Sequence, residues 1–211
     1  MRIITLLAHP DDAEIWTGGT LIKHTDRGDE VVVCTFADSD SCRVSEALAG
    51  GKVLGTTVQV LDKALLLSLE QARGKVEQLV QEFLPDVVIT HWEQDTHPEH
   101  RFVQDIVMRV IVSLKITTSY PKVLLACDTY NSIGMSGPFH PTIFVDVSEV
   151  WERKINAIRG HQSQPIHLWE DMALCLGRLH GNRCGCTYAE AYSQIPILGR
   201  YSSCAFLPDI V

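Results

Sequence analysis

Short apolar runs alternate with longer amphipathic segments through the first half of the chain. The apolar runs are rich in β-branched residues and bounded by polar residues or glycine, which predicts strands at residues 3–8, 30–37, 56–61 and 86–91. The segments that follow them have the features of helices, which we predict at residues 17–27, 43–54, 68–83 and 98–115. Gly28 and Gly55 end two of these helices, and Pro98 begins the last one. The alternation is typical of repeated βαβ units around a parallel sheet.

The second half of the chain has a less regular pattern. Strands are predicted at residues 122–127 and 142–147 and a helix at residues 149–159, whereas about the last fifty residues predict loops with one or two short helices. No repeat, low-complexity segment or linker interrupts the 211 residues, whose length suits one globular domain. We therefore predict a single domain over residues 1–211, with a three-layer, Rossmann-like α/β fold and a mostly parallel sheet.

The formal net charge of −8 argues against the basic surfaces that bind nucleic acid or anionic lipid. No apolar run approaches the ~20 residues of a membrane helix, and the run at the N-terminus stops at His9, too early for a signal peptide. We expect a cytoplasmic protein without a nucleic acid or membrane partner. The seven cysteines fit reduced thiols, and Cys184 and Cys186 are interpreted as small buried or loop thiols rather than as metal ligands.

Histidines and carboxylates follow the first and the fourth predicted strand. In an open parallel sheet, ligands bind beyond the carboxyl ends of the strands, where the chain reverses its winding, commonly between these two strands. The residues brought to this crevice are His9, Asp11, Asp12, Asp95, His97 and His100. Imidazole and carboxylate groups suit zinc, and a catalytic zinc needs three protein ligands and one open position. His9, Asp12 and His100 can supply these ligands, which predicts one Zn²⁺ per chain.

Asp11 and His97 lie in the same predicted pocket without a required ligand role. Hydrolysis of an amide at a metal needs a base for the attacking water and a donor for the oxyanion or the departing amine. Asp11 can be the base, because a carboxylate beside a cation stays ionised, and a protonated His97 can be the donor. Asp95 is expected either to hydrogen-bond His97 and keep it protonated, which we favour, or to form a turn, and it is also a candidate for binding the substrate.

The stretch AHPDD-x-E-x-x-x-GG at residues 8–19 and the motif H-P-E-H at residues 97–100 resemble the PIG-L/LmbE family of zinc-dependent N-acetylglucosaminyl deacetylases. The resemblance covers residues 1 to about 115, with further matches to residue 162. It implies that His9, Asp12 and His100 are the zinc ligands. It also implies that Asp11 is the general base and that His97 stabilises the oxyanion. It also implies a small amino-sugar substrate, which Arg43 contacts.

Two features depart from the pattern of that family. The loop between the second predicted strand and the helix that carries Arg43 consists only of residues 38–42. Family members often have a longer, glycine-rich loop there. A shorter loop implies a differently walled pocket. Glu99 replaces the more common aspartate between the two histidines, and we expect it to face solvent or the helix N-terminus with little consequence.

Three residues near the predicted site have more than one interpretation. Trp16 is a candidate for stacking on a sugar face, although core packing is the more usual role of a tryptophan. Arg43 either binds substrate hydroxyls or pairs with Glu46 or Glu14. Glu14 either orients Arg43 or a metal ligand, or it stabilises a helix N-terminus.

Taken with the resemblance, the residues predict a hydrolase that removes an N-acyl group, most simply acetyl, from an amino sugar. A binuclear metal-dependent phosphoesterase also uses aspartate and histidine, but it needs a bridging carboxylate and further ligands that we do not find. A non-catalytic metal- or nucleotide-binding module on the same fold is the other alternative. The metal content separates the three, with one zinc ion per chain for the amidase, two metal ions for the phosphoesterase and none for the binding module. A homo-oligomer is left open.

Overall fold

The computed structural model describes residues 1–201 of the chain. Its strands are β1 (Arg2–Leu6), β2 (Glu30–Ala37), β3 (Thr57–Asp62), β4 (Val87–Thr90), β5 (Val123–Cys127), β6 (Ile133–Gly134), β7 (Gly137–Pro138), β8 (Ile143–Asp146) and β9 (Ala189–Gln194). The main sheet has the order β3-β2-β1-β4-β5-β9-β8, and its first five strands are parallel. β6 and β7 pair with each other in a separate hairpin.

The helices lie in two layers, one on each face of the main sheet. They are α1 (Asp12–Asp26), α2 (Cys42–Leu54), α3 (Leu69–Phe83), α4 (Pro98–Thr118), α5 (Trp151–Arg159) and α6 (Ile166–Cys184). Helices α1, α2, α5 and α6 bury apolar side chains against one face of the sheet, and α3 and α4 against the other. The three-layer fold with a mostly parallel sheet is therefore confirmed. Within residues 1–201, none of the helices combines the length and the apolar character needed to cross a membrane.

The chain winds outward in both directions from β1. It runs through α1 and α2 to β3 on one side, and then through α3 to β4, which pairs with the other edge of β1. Ile3 and Ile4 of β1 are both fully buried, one in each half of the core, so both faces of the strand are apolar. The carboxyl ends of β1 and β4 lie side by side where the winding reverses, which is where such sheets bind ligands.

Helix α1 begins at Asp12 rather than at residue 17, where the sequence pattern places it. Asp12 and Glu14 occupy its first turn, where carboxylates interact favourably with the helix dipole. The helix continues through Gly19. Because this glycine has no Cβ atom, the helix can lie in close contact with the segment after β8. A Cβ atom at Gly19 would lie 2.6 Å from the side chain of Val147.

The prediction of loops and short helices for about the last fifty residues is wrong in its main part. Ile166–Cys184 form the 19-residue helix α6, and β9 lies antiparallel between β5 and β8. β9 carries Glu190, which is only 4% exposed and breaks any apolar strand pattern. Its carboxylate is buried because Lys154 Nζ donates to it at 2.6 Å and two main-chain N–H groups of α1 donate to it at 2.8 Å. Cys204 lies outside the described residues.

Candidate active site

The segments after β1 and β4 bring two histidines and a carboxylate into one cluster. His9 Nδ1 lies 3.0 Å from His100 Nε2 and 3.2 Å from Asp12 Oδ2, and His100 Nε2 lies 3.5 Å from Asp12 Oδ1. Asp12 begins α1 and His100 lies in the first turn of α4, so a helix end fixes each side chain. The three residues that the sequence singles out as metal ligands therefore meet at one point, although 91 positions separate the two histidines.

Among the described residues, two overlapping sets have ligand atoms within 4.8 Å of one another and could hold a metal ion, namely His9, His97 and His100, and Asp12, His91 and His100. His91 is fully buried, and its Nε2 already accepts a hydrogen bond from the Ala8 N–H at 2.9 Å. That lone pair is therefore not free for a metal. The trio of His9, Asp12 and His100 takes members from both sets, with its nitrogen and oxygen atoms 3.0–3.5 Å apart. Three such donors suit zinc and leave a coordination position open.

Asp95 orients the ring of His100. Its Oδ2 accepts hydrogen bonds from His100 Nδ1 at 2.8 Å and from Thr129 Oγ1 at 2.7 Å. A hydrogen bond at Nδ1 directs Nε2 towards the metal position. The expected hydrogen bond from Asp95 to the His97 ring is wrong, because Oδ1 accepts from the main-chain N–H of His97 instead, at 2.7 Å. Asp95 is also 0% exposed, so it is not placed to bind substrate as the sequence suggests.

Glu99 contacts His9 on the side away from the metal position. Its Oε2 lies 2.7 Å from His9 Nε2, and its Oε1 lies 3.4 Å from Lys63 Nζ. This contact leaves His9 Nδ1 directed at His100 and Asp12. Glu99 is 31% exposed in the first turn of α4, where the sequence places it, and it also contacts the ring of a proposed metal ligand.

Asp12 is held as a carboxylate by the histidines around it. Burial alone would raise the pKa of Asp12, but the charges of His100 and His9 lower it well below its usual value. Trp16 Nε1 donates a hydrogen bond to Asp12 Oδ1 at 3.1 Å, and the indole is only 3% exposed. Trp16 therefore positions this carboxylate from within the core and cannot stack on a sugar, contrary to its candidate role in substrate binding.

Asp11 lies next to the metal cluster and pairs with an arginine of the neighbouring helix. Its Oδ1 accepts a hydrogen bond from Arg43 Nη2 at 2.6 Å, across 32 positions of sequence. Burial and the charge of Asp12 raise the pKa of Asp11, whereas Arg43 opposes this shift. A nearly buried carboxylate with a raised pKa is a better proton acceptor than an exposed one.

His97 also adjoins the cluster, with its ring centroid 4.7 Å from that of His9 and 4.7 Å from that of His100. Its Nδ1 accepts a hydrogen bond from the Glu99 N–H at 3.2 Å, so in the neutral ring the proton is on Nε2. Burial and the charge of His100 lower the pKa of His97. These contacts favour a neutral His97 ring with its proton on Nε2, rather than the protonated ring that the sequence suggests.

Glu14 and His161 form a second buried pair near the site. Glu14 Oε2 lies 3.5 Å from His161 Nε2, and neither residue is more than 1% exposed. Burial raises the pKa of Glu14, and although burial alone would lower the pKa of His161, Glu14 raises it. Glu46 accepts hydrogen bonds from the Ser163 N–H and hydroxyl, at 2.8 and 2.6 Å. Thus neither carboxylate is the partner of Arg43, which binds the carboxylate at position 11.

His91 and Tyr130 are site residues that the sequence patterns do not single out. The His91 ring stacks on His100 with centroids 3.7 Å apart, and burial and the charge of His100 lower the pKa of His91 to about 4. Tyr130 follows β5, and its ring centroid lies 5.7 Å from that of His100. β5 ends at the same crevice as β4, and this is the signal in the sequence that could have indicated Tyr130.

Cys184 and Cys186 lie at and just beyond the C-terminal end of α6, with their sulfur atoms 3.5 Å apart. Each thiol also donates to a main-chain carbonyl group, that of His180 at 3.2 Å for Cys184 and that of Tyr188 at 3.3 Å for Cys186. Burial raises the pKa of Cys186 to about 12. These contacts agree with the interpretation of this pair as partly buried, reduced thiols.

The sequence profile of the PIG-L family, described as GlcNAc-PI de-N-acetylase, matches residues 4–111. The chain is 26% identical over 226 residues to diacetylchitobiose deacetylase of Thermococcus kodakarensis, and the alignment covers 92% of this chain and 83% of that protein. It is also 26% identical over 193 residues to a Bacillus cereus protein named "Probable N-acetyl-alpha-D-glucosaminyl L-malate deacetylase 2", over 81% and 86% of the two chains.

The fold is similar to that of N,N'-diacetylchitobiose deacetylase from Pyrococcus horikoshii. The two structures superpose with a TM-score of 0.76, over 93% of this chain and 84% of that one. Since the identity between them is 22%, this similarity concerns the fold. The profile match is the comparison that bears on the site, because residues 4–111 include the whole cluster from His9 to His100.

Proposed function

Because this chain belongs to the PIG-L family, GlcNAc-PI de-N-acetylase, we propose that it is a zinc-dependent hydrolase that removes the acetyl group from the nitrogen of an amino sugar. One observation carries the proposal, the convergence of His9, Asp12 and His100 beside a buried carboxylate and a histidine donor at the switch point of the sheet. The names of the relatives, which contain diacetylchitobiose and an N-acetylglucosaminyl malate, support a small N-acetylated amino sugar as the substrate.

His9 through Nδ1, Asp12 through a carboxylate oxygen and His100 through Nε2 would hold the zinc ion. The contacts of Glu99 with His9 and of Asp95 with His100 select these nitrogen atoms. When bound, the ion provides Lewis acidity for the acyl carbonyl and for the attacking water. The protein residues around it provide the proton transfers and the binding of the sugar.

Asp11 is the general base of the proposed reaction. It takes a proton from the water as the oxygen of that water bonds to the acyl carbon. Arg43 holds one carboxylate oxygen of Asp11 at 2.6 Å and so fixes the direction of the other. His97 donates a hydrogen bond from Nε2 to the acyl oxygen, on which negative charge develops. The C–N bond then breaks, and the leaving nitrogen takes from Asp11 the proton that this carboxylate removed from the water.

Arg43 also binds the sugar in this proposal. Its side chain is 24% exposed at the start of α2, and it has N–H groups beyond the one that bonds Asp11. These donors suit a sugar hydroxyl oxygen. Fixing the base and the sugar with one planar guanidinium keeps the two in a defined relation to each other.

Asp11→Asn and Asp12→Ala together test the proposed division of roles. Asp11→Asn retains the shape of the side chain but loses its basicity, so kcat should fall about 10²- to 10⁴-fold with the zinc content still near one per chain. Asp12→Ala removes a ligand, so zinc affinity should fall, and activity should partly return at high Zn²⁺. Released acetate and bound zinc are measured on both variants, with an N-acetylglucosaminide as substrate. Loss of zinc from Asp11→Asn but not from Asp12→Ala would show that the roles are exchanged.

The same measurements separate this function from its two rivals. Two metal ions per chain with turnover of a phosphate ester, and none of an acetylated amino sugar, would indicate a binuclear phosphoesterase. A chain without bound metal or turnover would indicate a binding module. A panel of N-acetylglucosaminides that differ in the aglycone identifies the substrate within the proposed class.

A further inference from the structure

Tyr130 lies against the proposed metal ligand His100. The residue follows β5, whose carboxyl end is next to that of β4, and its side chain is half-buried. The phenol ring is nearly parallel to the His100 ring, with planes 15° and centroids 5.7 Å apart. The His100 ring also stacks on His91, with planes 10° apart. Aromatic contacts therefore fix the plane of His100, and Tyr130 is the one of these neighbours whose side chain is not fully buried.

The segment that carries Tyr130 is held in an unusual backbone conformation. Asn131 and Ser132 have φ angles of 54° and 55°, in the left-handed region that non-glycine residues seldom adopt. Such conformations cost free energy, persist only where surrounding contacts impose them, and cluster at binding and active sites. Here Thr129 Oγ1 donates to Asp95 Oδ2 at 2.7 Å, and Ser132 Oγ donates to Asp128 Oδ2 at 2.6 Å. The first of these bonds ties the segment to the carboxylate that orients His100.

The phenol ring is fixed by further aromatic contacts. Trp16 meets it edge-to-face, with centroids 5.2 Å and planes 87° apart, and Trp169 lies 5.9 Å from it. Trp16 also bonds Asp12, so the contacts that place Tyr130 are shared with the metal cluster. A ring held in this way loses little conformational entropy when a ligand binds.

A tyrosine hydroxyl has an ordinary pKa of about 10 and is therefore protonated at neutral pH. The phenol of Tyr130 lies beside the proposed metal ligands, because its ring packs on that of His100. A neutral hydroxyl in this position can donate a hydrogen bond to an uncharged oxygen without bringing a further charge into the site.

We propose that Tyr130 is a substrate-binding residue, whose hydroxyl donates a hydrogen bond to an oxygen of the amino sugar. This inference rests on the proposed deacetylase function and names a residue that recognises its substrate. A hydroxyl and a guanidinium are donors that match the oxygen acceptors of a sugar, and the phenol ring offers an apolar surface for its C–H groups. This hydrogen bond stabilises the bound substrate and the transition state to the same extent. Its loss should therefore raise KM and leave kcat unchanged.

Tyr130→Phe removes the hydroxyl and leaves the ring contacts in place. We expect KM for the N-acetylglucosaminide to rise about 2- to 10-fold, which is the effect of one neutral hydrogen bond, with kcat and the zinc dissociation constant unchanged. Tyr130→Leu removes the ring as well, and we expect it also to raise the zinc dissociation constant about 2- to 10-fold. Tyr120→Phe is the matched control, because Tyr120 is a half-buried tyrosine three positions before β5 begins, at the opposite end of that strand. It should change none of these values.

Kinetics and zinc titration of the three variants decide the question. A Tyr130→Phe enzyme with wild-type KM would overturn the proposal, and so would a fall in kcat at unchanged KM, which would place the hydroxyl on the reacting atoms. A zinc dissociation constant that rises in Tyr130→Phe would show that the residue acts through the metal ligands instead. If the wild type hydrolyses no member of the N-acetylglucosaminide panel, the proposed function itself fails. An active wild type matched by Tyr130→Phe overturns the role of Tyr130 alone.

Discussion

The contacts of Asp95 make Asp95→Asn a direct test of how the metal site is organised. Asp95 is 0% exposed and accepts hydrogen bonds from the His97 N–H, from His100 Nδ1 and from the Thr129 hydroxyl. Burial alone would raise the pKa of Asp95, but the hydrogen bond and charge of His100 lower it, so the carboxylate is ionised. Asparagine has the same shape, but its NH₂ group is a donor. The NH₂ group would then face at least one of the three donors, the His97 N–H if it replaces Oδ1 or the other two if it replaces Oδ2.

The magnitude follows from the two contributions that the variant loses. Removing a carboxylate that orients a metal-ligating histidine typically weakens metal binding about 10- to 100-fold, or about 1.4 to 2.7 kcal/mol. A buried donor without an acceptor costs about 1 to 3 kcal/mol of folding free energy. At about 2 to 4 °C per kcal/mol for a chain of this size, the metal-free variant should unfold several degrees below the wild type.

The assay is competition for zinc with a chromophoric chelator at neutral pH, together with thermal unfolding of the metal-free proteins. Asp105→Asn is the control, because Asp105 lies on the same helix α4 as His100 but is 48% exposed and pairs with Arg109 at the surface. It should leave the zinc dissociation constant unchanged. If Asp95→Asn binds zinc within twofold of the wild type, Asp95 does not orient His100 and the account of the ligand geometry is incorrect.

Two further predictions concern packing and pH. Gly50→Ala would place a Cβ atom 2.1 Å from the buried Glu14 Oε1 and should destabilise the fold by about 1 to 3 kcal/mol, whereas Gly74→Ala in α3 meets nothing within 4 Å and should stabilise it by about 1 kcal/mol. Thermal unfolding measures both, and shifts of the same sign would contradict the packing. Burial lowers the pKa of His24 to about 4 despite its hydrogen bond to Asp29, so His24 contributes stability that is complete above about pH 6.5 and is lost as the pH falls towards 4. The free energy of unfolding should fall by on the order of 3 kcal/mol over this interval on account of His24, and His24→Gln should remove that part of the slope in urea titrations. An unchanged slope would show that another group is responsible.

The parallel half of the fold could be predicted from the sequence because its signals are local. Strands that are buried on both faces are continuous apolar runs, and β1 to β4 lie within two residues of the predicted ends. Helix α2 ends where Gly55 adopts φ 78°, a conformation that glycine favours, and α4 begins at Pro98. The rule that parallel strands meet at one edge then predicted that His9 and His100 approach each other. These inferences need only neighbouring residues and the handedness of the connections.

The antiparallel end of the sheet was decided by tertiary contacts. β9 contains Glu190 and Ser193, so no apolar run marks it as a central strand. Its carboxylate is acceptable in the core only because Lys154 and N–H groups of α1 bind it there. The sequence pattern does not show that Glu190 has a partner 36 positions away. Helix α6 was missed for a similar reason, because the elements that it covers determine which of its faces is buried.

The partners of the polar residues in the site were also decided by the tertiary structure. Asp95 had His97 and His100 within five positions, and only the packing of α4 against β1 and β4 selects the His100 ring and the main chain of His97. Glu99 and Tyr130 are polar residues after a strand like many others, until the folded chain places one on His9 and the other against His100. The choice depends on differences of about 1 Å between groups far apart in sequence, because a hydrogen bond is lost beyond about 3.5 Å. Residue type and spacing therefore determined which groups enter the crevice, and the packed loops determined which atom of each group faces which partner.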